Sequence, residues 1–214
     1  MRNIRLIVIG LVCILAPGSI AAGQEPKGLN DLVRLQVRKV RVAEALARIT
    51  VQSEISIGFE RSKLDGPDST ITFDGPPKPA LELLNLIVQQ VPIYKWEVRD
   101  GVINVLPVNG RSSLLEKFRA LPVEKFEARS TLIKFELRNR IFDLPQVQQF
   151  LNENKLHTDR LRDYGYRPSI YARDVDLSVS NTNVEGLINN IIRLGEHNFW
   201  SLALDDKGTL YLSF

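Results

Sequence analysis

The sequence predicts an α+β protein made of two small modules in tandem, each a small mixed sheet with two helices in the order βαββαββ, joined by a short helical linker. The first observation behind this prediction is a hydrophobic period that switches repeatedly between 2 and 3.6 residues along the chain. The second is that the chain resembles itself at an offset of 104 residues. The third is its size: 214 residues, 44% hydrophobic and 25% charged, suit one medium or two small globular domains.

The N-terminus has the three-part layout of a secretory signal peptide. Arg2 and Arg5 precede an apolar run over 6–16, which is shorter than the roughly 20 residues that a membrane-spanning helix needs. Cleavage after Ala21 and cleavage after Gly23 both fit the small residues that follow, and we prefer the second. The sequence therefore predicts a periplasmic or secreted protein with no membrane span once the signal is removed.

Removing this segment changes the charge balance. Two of the 28 basic residues leave with it and none of the 25 acidic ones, so the remaining chain is close to neutral. A nucleic-acid partner is therefore not expected, because such proteins carry a clustered basic excess. The single cysteine, Cys13, also leaves, so neither a disulfide nor a cysteine metal site is predicted.

The first module has a clear periodicity. The predicted elements are a strand over 32–37, a helix over 42–54, a strand over 55–60, a strand through 71–73, a helix over 79–91 and strands over 94–99 and 102–108. Asp100-Gly101 between the last two strands is a strong hairpin signal.

The second module repeats the later part of this pattern. At the offset of 104, Leu83, Asn85 and Trp96 fall on Leu187, Asn189 and Trp200. Because these leucines and tryptophans occupy inward positions, we predict that all four belong to the structural core, and we prefer this over a ligand-stacking role for the tryptophans.

The front of the second module is less regular. A strand is predicted near 133–137 and a helix over 144–151, with Asp143 as its N-cap. Thr182 is predicted to open the last helix, and Ser113 a linker helix that Pro122 terminates. The predicted boundaries are 1–23 for the signal peptide, 29–108 for the first module, 109–125 for the linker and 126–214 for the second module. Modules of this size bury little surface alone, so we expect the two to pack together.

The first module resembles a known family. The stretches VAEALARITVQSEISIGFE, STITFDG, ALELLNLIVQQV and YKWEVRDGVINVLP resemble the short N-terminal (STN-like) domain shared by secretins and TonB-dependent receptors, and the related C-terminal domain of anti-sigma regulators. The second module looks like a diverged copy over 175–214. The resemblance implies a periplasmic βαββαββ module that binds other proteins, sometimes through an exposed strand edge. No barrel-forming or secretin strands follow, so receptor or channel function is not implied.

Residues suited to catalysis do not form a recognisable pattern. The two histidines lie forty residues apart, and the sequence contains no HExxH helix, phosphate-binding loop or nucleophile elbow. We therefore expect no catalytic residue, no metal site and no cofactor, and a protein that is not an enzyme.

One segment has the composition of a binding loop. Tyrosine and arginine are enriched at protein-binding hot spots, and the segment 160–173 is rich in both. The candidate partner-binding residues are Arg162, Tyr164, Tyr166, Arg167 and Tyr171. A solvated loop whose tyrosines cover the sheet is the open alternative.

The sequence thus favours an exported interaction module, an adaptor or subunit of an envelope secretion, transport or signalling complex with an envelope protein as partner. A ligand- or glycan-binding envelope protein is the alternative, followed by a small envelope hydrolase.

Overall fold

The computed structural model describes residues 18–20, 26–132, 136–159, 174–194 and 198–214. In chain order the elements are β1 (Gly18–Ile20), β2 (Leu32–Val33), β3 (Gln36–Arg41), α1 (Val42–Gln52), β4 (Ile57–Glu60), β5 (Thr70–Asp74), β6 (Lys78–Pro79), α2 (Ala80–Gln90), β7 (Tyr94–Arg99), β8 (Val102–Pro107), α3 (Ser113–Ala120), β9 (Pro122–Leu132), α4 (Glu136–Phe142), α5 (Pro145–Glu153), β10 (His157–Thr158), β11 (Asp174–Asn183), α6 (Val184–Ile192), β12 (Phe199–Leu204) and β13 (Thr209–Ser213). The predicted α+β class is confirmed. Among the described residues, no helix has the length and apolarity that a membrane crossing requires.

A seven-stranded sheet runs through both halves of the chain. Its strand order is β1-β7-β8-β4-β12-β13-β10, and the other described strands form the two-stranded sheets β2-β6, β3-β5 and β9-β11. The junction is the parallel pairing of β4 with β12, in which Gly58 lies opposite Trp200. The two halves are therefore joined by backbone hydrogen bonds within one sheet, in addition to side-chain contacts.

Each half gives the sheet the same set of strands. In the first half, the hairpin β7-β8 is followed in the sheet by β4, which runs parallel to β8. In the second half, the hairpin β12-β13 is followed by β10, which runs parallel to β13. Since β4 is parallel to both β8 and β12, the second set runs opposite to the first. A set of strands that keeps its order but runs in the reverse direction is turned over, so its two faces are exchanged. The helices of the two halves therefore lie on opposite faces of the sheet.

Two hydrophobic cores result, one on each face. Ile57 and Phe59 of β4 point into the first core, beneath α1 and α2. Gly58 and Glu60 alternate with them and face the second core, where α3, α4, α5 and α6 cover the sheet. Phe199 of β12 lies opposite Ile57 and, on the same face of the sheet, packs against the first core.

The first module follows the predicted order of helices and strands, with differences in several element bounds and one added short strand, β6. The strand predicted over 32–37 is split into β2 and β3 because the two pieces pair with different partners, β6 and β5. The pairing of β3 shifts register between Val37 and Val40, where Lys39 has a φ of 52°. The hairpin turns at Asp100 and Gly101, whose φ values of 51° and 71° are those of a type I′ turn.

The front of the second module differs from the prediction. Of the strand predicted near 133–137, Leu137 lies in helix α4 and not in a strand, and 133–135 lie outside the described residues. The predicted N-cap Asp143 is also wrong, because its N–H closes the preceding helix on the carbonyl of Asn139. The residue at the cap of α5 is Leu144, followed by Pro145, whose fixed φ suits a first helical turn.

The helix predicted as a linker is part of the second core. Leu115 and Phe118 of α3 are fully buried there. Ser113 is the first helical residue and Ser112 holds the cap position, one residue earlier than predicted. The chain between the two modules therefore contributes to packing and cannot act as a flexible hinge.

The last helix begins one residue later than predicted. Thr182 still pairs with Val123 in the β9-β11 ladder, and the N-cap is Asn183, whose side-chain oxygen accepts a hydrogen bond from the Gly186 N–H at 2.8 Å. Asn183→Ala should therefore lower the free energy of unfolding by about 1 kcal/mol, measured by urea titration. Thr182→Val is the matched control, and a larger loss from it than from Asn183→Ala would contradict this assignment.

Candidate functional site

The outer edge of β7 is able to accept a strand. Residues 18–20 pair with it in parallel, with Gly18 opposite Trp96, Ser19 opposite Glu97 and Ile20 opposite Val98. The opposite edge of β7 belongs to the hairpin with β8. Among the described residues, β7 is therefore the terminal strand of the sheet apart from the three residues of β1.

The hairpin determines which backbone groups of β7 face outward. A two-residue turn makes Arg99 and Val102 a hydrogen-bonded pair, so every second residue of β7 bonds inward to β8. The alternate residues of β7, which include Trp96 and Val98, therefore direct their N–H and C=O groups toward the outer edge. The same alternation makes Tyr94 and Pro107 a pair without mutual hydrogen bonds, which is consistent with the missing N–H of proline.

The side chains of β7 divide into an apolar row and a charged row. Tyr94, Trp96 and Val98 are buried in the first core. Lys95, Glu97 and Arg99 are on the other face, where Glu97 pairs with Arg99 at 2.5 Å and with Lys95 at 3.8 Å. A strand added to this edge would therefore lie between a hydrophobic row and a charged one.

A buried charged cluster continues from this row across the junction of the two halves. Glu60 of β4 is 0% exposed, and its carboxylate lies 3.1 Å from the Arg119 Nε of α3 and 3.6 Å from the Arg111 Nε. Arg119 is also buried, and its Nη1 donates to Glu185 of α6 at 3.1 Å. Glu185 accepts a second hydrogen bond from Arg99 at 3.3 Å. The cluster therefore connects strands β4 and β7 to helices α3 and α6.

Burial dominates the protonation of Glu60. Loss of solvent raises its pKa to about 7, a shift that the nearby carboxylates of Glu185 and Glu116 reinforce and that Arg111 opposes. Burial also raises the pKa of Glu185, against the opposing effect of Arg99. A perturbed carboxyl can indicate a catalytic acid. Here Glu60 itself is fully buried, between strand β4 of the first half and the Arg119 and Glu185 side chains of α3 and α6.

This shift predicts a pH dependence of stability. A folded pKa of about 7 against an ordinary value of 4.5 means that the folded state binds the Glu60 proton more tightly than the unfolded state does. The associated stabilisation, about 3 kcal/mol, is complete below pH 4.5 and is lost as the pH rises to about 7. The free energy of unfolding of wild type relative to Glu60→Gln should therefore fall by most of this amount between pH 5 and pH 8. Glu153→Gln, at an exposed carboxylate, is the control, and parallel pH profiles for wild type and Glu60→Gln would disprove the assignment.

The two tryptophans occupy matching places in the two halves. Trp96 donates from Nε1 to the side-chain oxygen of Asn85 at 3.1 Å, and Trp200 donates in the same way to Asn189 at 2.9 Å. Both asparagines precede their tryptophan by eleven residues. Leu83, Leu187 and both tryptophans are all buried, so the structure places these four predicted core residues inside.

Gly58 is required by the tryptophan beside it. A Cβ at this position would overlap the indole of Trp200. Gly58→Ala should therefore lower the free energy of unfolding by about 1 to 3 kcal/mol, measured by urea titration, because the indole cannot shift within a filled core. Combining it with Trp200→Leu should give less than the sum of the two losses. If the two losses in the free energy of unfolding simply add, the contact between residue 58 and the Trp200 indole does not limit packing.

An open groove of about 430 Å³ lies where α3 and α5 end. Its lining includes Leu121, Pro122 and Phe150, with Lys117 and Glu153 as charged residues. It contains no residue of the buried charged cluster. Among the described residues, no three metal-ligating side chains come together.

The candidate partner-binding residues Arg162, Tyr164, Tyr166, Arg167 and Tyr171 lie outside the described residues. Sequence reasoning missed the charged cluster, because Glu60 follows Phe59 as an ordinary polar alternation and only the second half of the chain covers it. It also missed Gly58, although a glycine inside an alternating strand can indicate close approach of another group.

Comparison with protein-family models, with curated proteins and with solved structures finds no match to this chain.

Proposed function

We propose that this protein is an exported periplasmic interaction module without catalytic activity, acting as an adaptor or subunit of an envelope secretion, transport or signalling complex. The observation that carries the proposal is the outer edge of β7, where backbone groups accept a parallel strand. Strand addition is a common way of binding peptides, in which main-chain hydrogen bonds supply affinity and neighbouring side chains supply specificity.

The rigidity of the fold supports this role. The two halves share one sheet through β4 and β12, and the buried contacts between Arg119, Glu60 and Glu185 hold α3 and α6 against it. A continuous sheet packed on both faces reduces the ordering that binding at the β7 edge requires.

The signal-peptide layout predicted for residues 1–23 and the resemblance of the first module to periplasmic interaction domains support the proposed compartment. The test is affinity capture from an envelope extract with the chain that begins at Gln24 as bait, followed by direct binding of the purified candidate partner. Boiled bait is the control for nonspecific adsorption. If no envelope protein binds the folded bait with a saturable affinity, the proposal is wrong.

Capture alone does not identify the binding surface. The variant Tyr164→Ala, Tyr166→Ala, Arg167→Ala tests the segment 160–173, since loss of central aromatic or arginine anchors commonly weakens binding by about 2 kcal/mol or more. Docking through β7 predicts unchanged affinity for this triple variant. A proline in β7 is a poor test, because the outward N–H groups belong to Trp96 and Val98, whose side chains are buried in the core.

A further inference from the structure

The strand that covers β7 comes from the segment with the layout of a signal peptide. Gly18, Ser19 and Ile20 pair with β7, and both candidate cleavage positions lie after them, at Ala21 and Gly23. Cleavage at either position would remove β1 and leave the outward groups of Trp96 and Val98 without it.

We propose that residues 18–20 are a placeholder strand: in the uncleaved chain they occupy the β7 edge, and their removal opens that edge to an extended, parallel segment of a partner protein. This inference rests on the proposed function, and it adds a regulation of the same edge.

The register specifies the hydrogen bonds that change. In a parallel pair, a residue bonds to both neighbours of the residue opposite it. Ser19 lies opposite Glu97, so its N–H donates to the Trp96 carbonyl and its carbonyl accepts from the Val98 N–H. The Glu97 N–H faces inward to Asn104 of β8 and does not depend on residues 18–20.

The two rows of β7 side chains define the kind of partner segment. One side of an added strand would meet the edge of the first core at Trp96 and Val98, and the other would meet Lys95, Glu97 and Arg99. An extended segment that alternates small or apolar residues with polar ones fits both rows. A segment with a proline where Ser19 lies does not fit, because it lacks the N–H that Trp96 accepts.

Amide hydrogen exchange tests the placeholder directly. The chain from Met1, expressed without export, is compared with the chain that begins at Gln24. We expect the Val98 amide to exchange about tenfold faster or more in the shorter chain, since it loses its acceptor. The Glu97 amide should exchange equally in both, which also shows that the shorter chain is folded. Equal exchange of Val98 in both chains would overturn the proposal.

A peptide probe tests whether the opened edge accepts a strand from outside. The peptide of residues 14–23, added in excess to the chain beginning at Gln24, should slow exchange at Val98 again. The same peptide with Ser19→Ala keeps the N–H and should act equally, whereas the peptide with Ser19→Pro should have no effect. If the proline peptide protects Val98 as well as the others do, or if none of the three does, the edge is not a strand acceptor.

The affinity of a captured partner for the two chains distinguishes the placeholder role from the proposed function. A captured envelope protein should bind the chain beginning at Gln24 at least about tenfold more tightly than the chain from Met1, because an intramolecular strand competes at high effective concentration. Equal affinity for both chains would refute the placeholder role while leaving the interaction function intact. Saturable peptide binding without any envelope partner would refute the proposed function and leave the strand-accepting edge in place.

Discussion

Replacing Trp200 with alanine should lower the free energy of unfolding by about 3 to 5 kcal/mol, the range found when a large buried aromatic is truncated. Trp200 is 0% exposed, lies across Gly58 and donates to Asn189. The loss combines a cavity in the second core with a buried asparagine oxygen that no longer has its donor. Urea unfolding followed by far-ultraviolet circular dichroism measures it.

Two further variants separate these contributions. Trp200→Phe keeps an aromatic ring but removes the N–H, so its loss should be smaller than that of Trp200→Ala. Trp96→Ala, at the matching place in the first half, should also be strongly destabilising, since Trp96 is buried and bonded to Asn85. If both alanine variants unfold like wild type while losing a partner, the tryptophans are recognition residues and the core assignment is wrong.

Replacing Arg119 with methionine should lower the free energy of unfolding by about 3 to 5 kcal/mol at pH 8. Arg119 is buried between the carboxylates of Glu60 and Glu185, at 3.1 Å from each. Methionine fills a similar volume without charge, which leaves two buried acids facing each other. The loss therefore reports an unbalanced charge more than a lost contact.

The pH dependence of this loss identifies its cause. Burial raises the pKa of both Glu60 and Glu185, so both are more easily protonated in the folded protein than in the unfolded chain. At pH 5 these acids can take up protons, and the loss caused by Arg119→Met should shrink. The double variant Arg119→Met, Glu60→Gln should recover stability at pH 8. A loss that is equal at pH 5 and pH 8 would indicate lost packing instead.

Local patterns predict the first module well. Alternation through 94–99 and 102–108 around Asp100-Gly101 indicates a hairpin from short-range physics, and the structure has that hairpin. The front of the second module is harder to predict, because Pro145 and the end of α4 determine where α5 begins. Asp143 is a residue type that often caps helices, but it lies at the end of α4 and not at the start of α5.

The junction of the two halves has no local signature. Pairing of β4 with β12 joins residues more than 140 positions apart, and the alternation of β4 looks the same whether its second face meets solvent or another core. Glu60 therefore looks like an exposed residue in the sequence, and only the arrival of Arg119 and Glu185 makes it buried. The repeat of Asn and Trp at an offset of 104 was the one long-range signal that the sequence did contain.

Binding through the β7 edge is tested by photo-crosslinking from that edge in intact cells that carry the native envelope. A photoreactive benzoylphenylalanine replaces Lys95, an exposed residue on β7, and in a second strain it replaces Asp206, an exposed residue in the turn between β12 and β13. We expect a discrete adduct with one envelope protein from position 95 and none from position 206. Adducts of equal yield from both positions, or none from position 95, would contradict the claim that this protein binds its partner through the β7 edge.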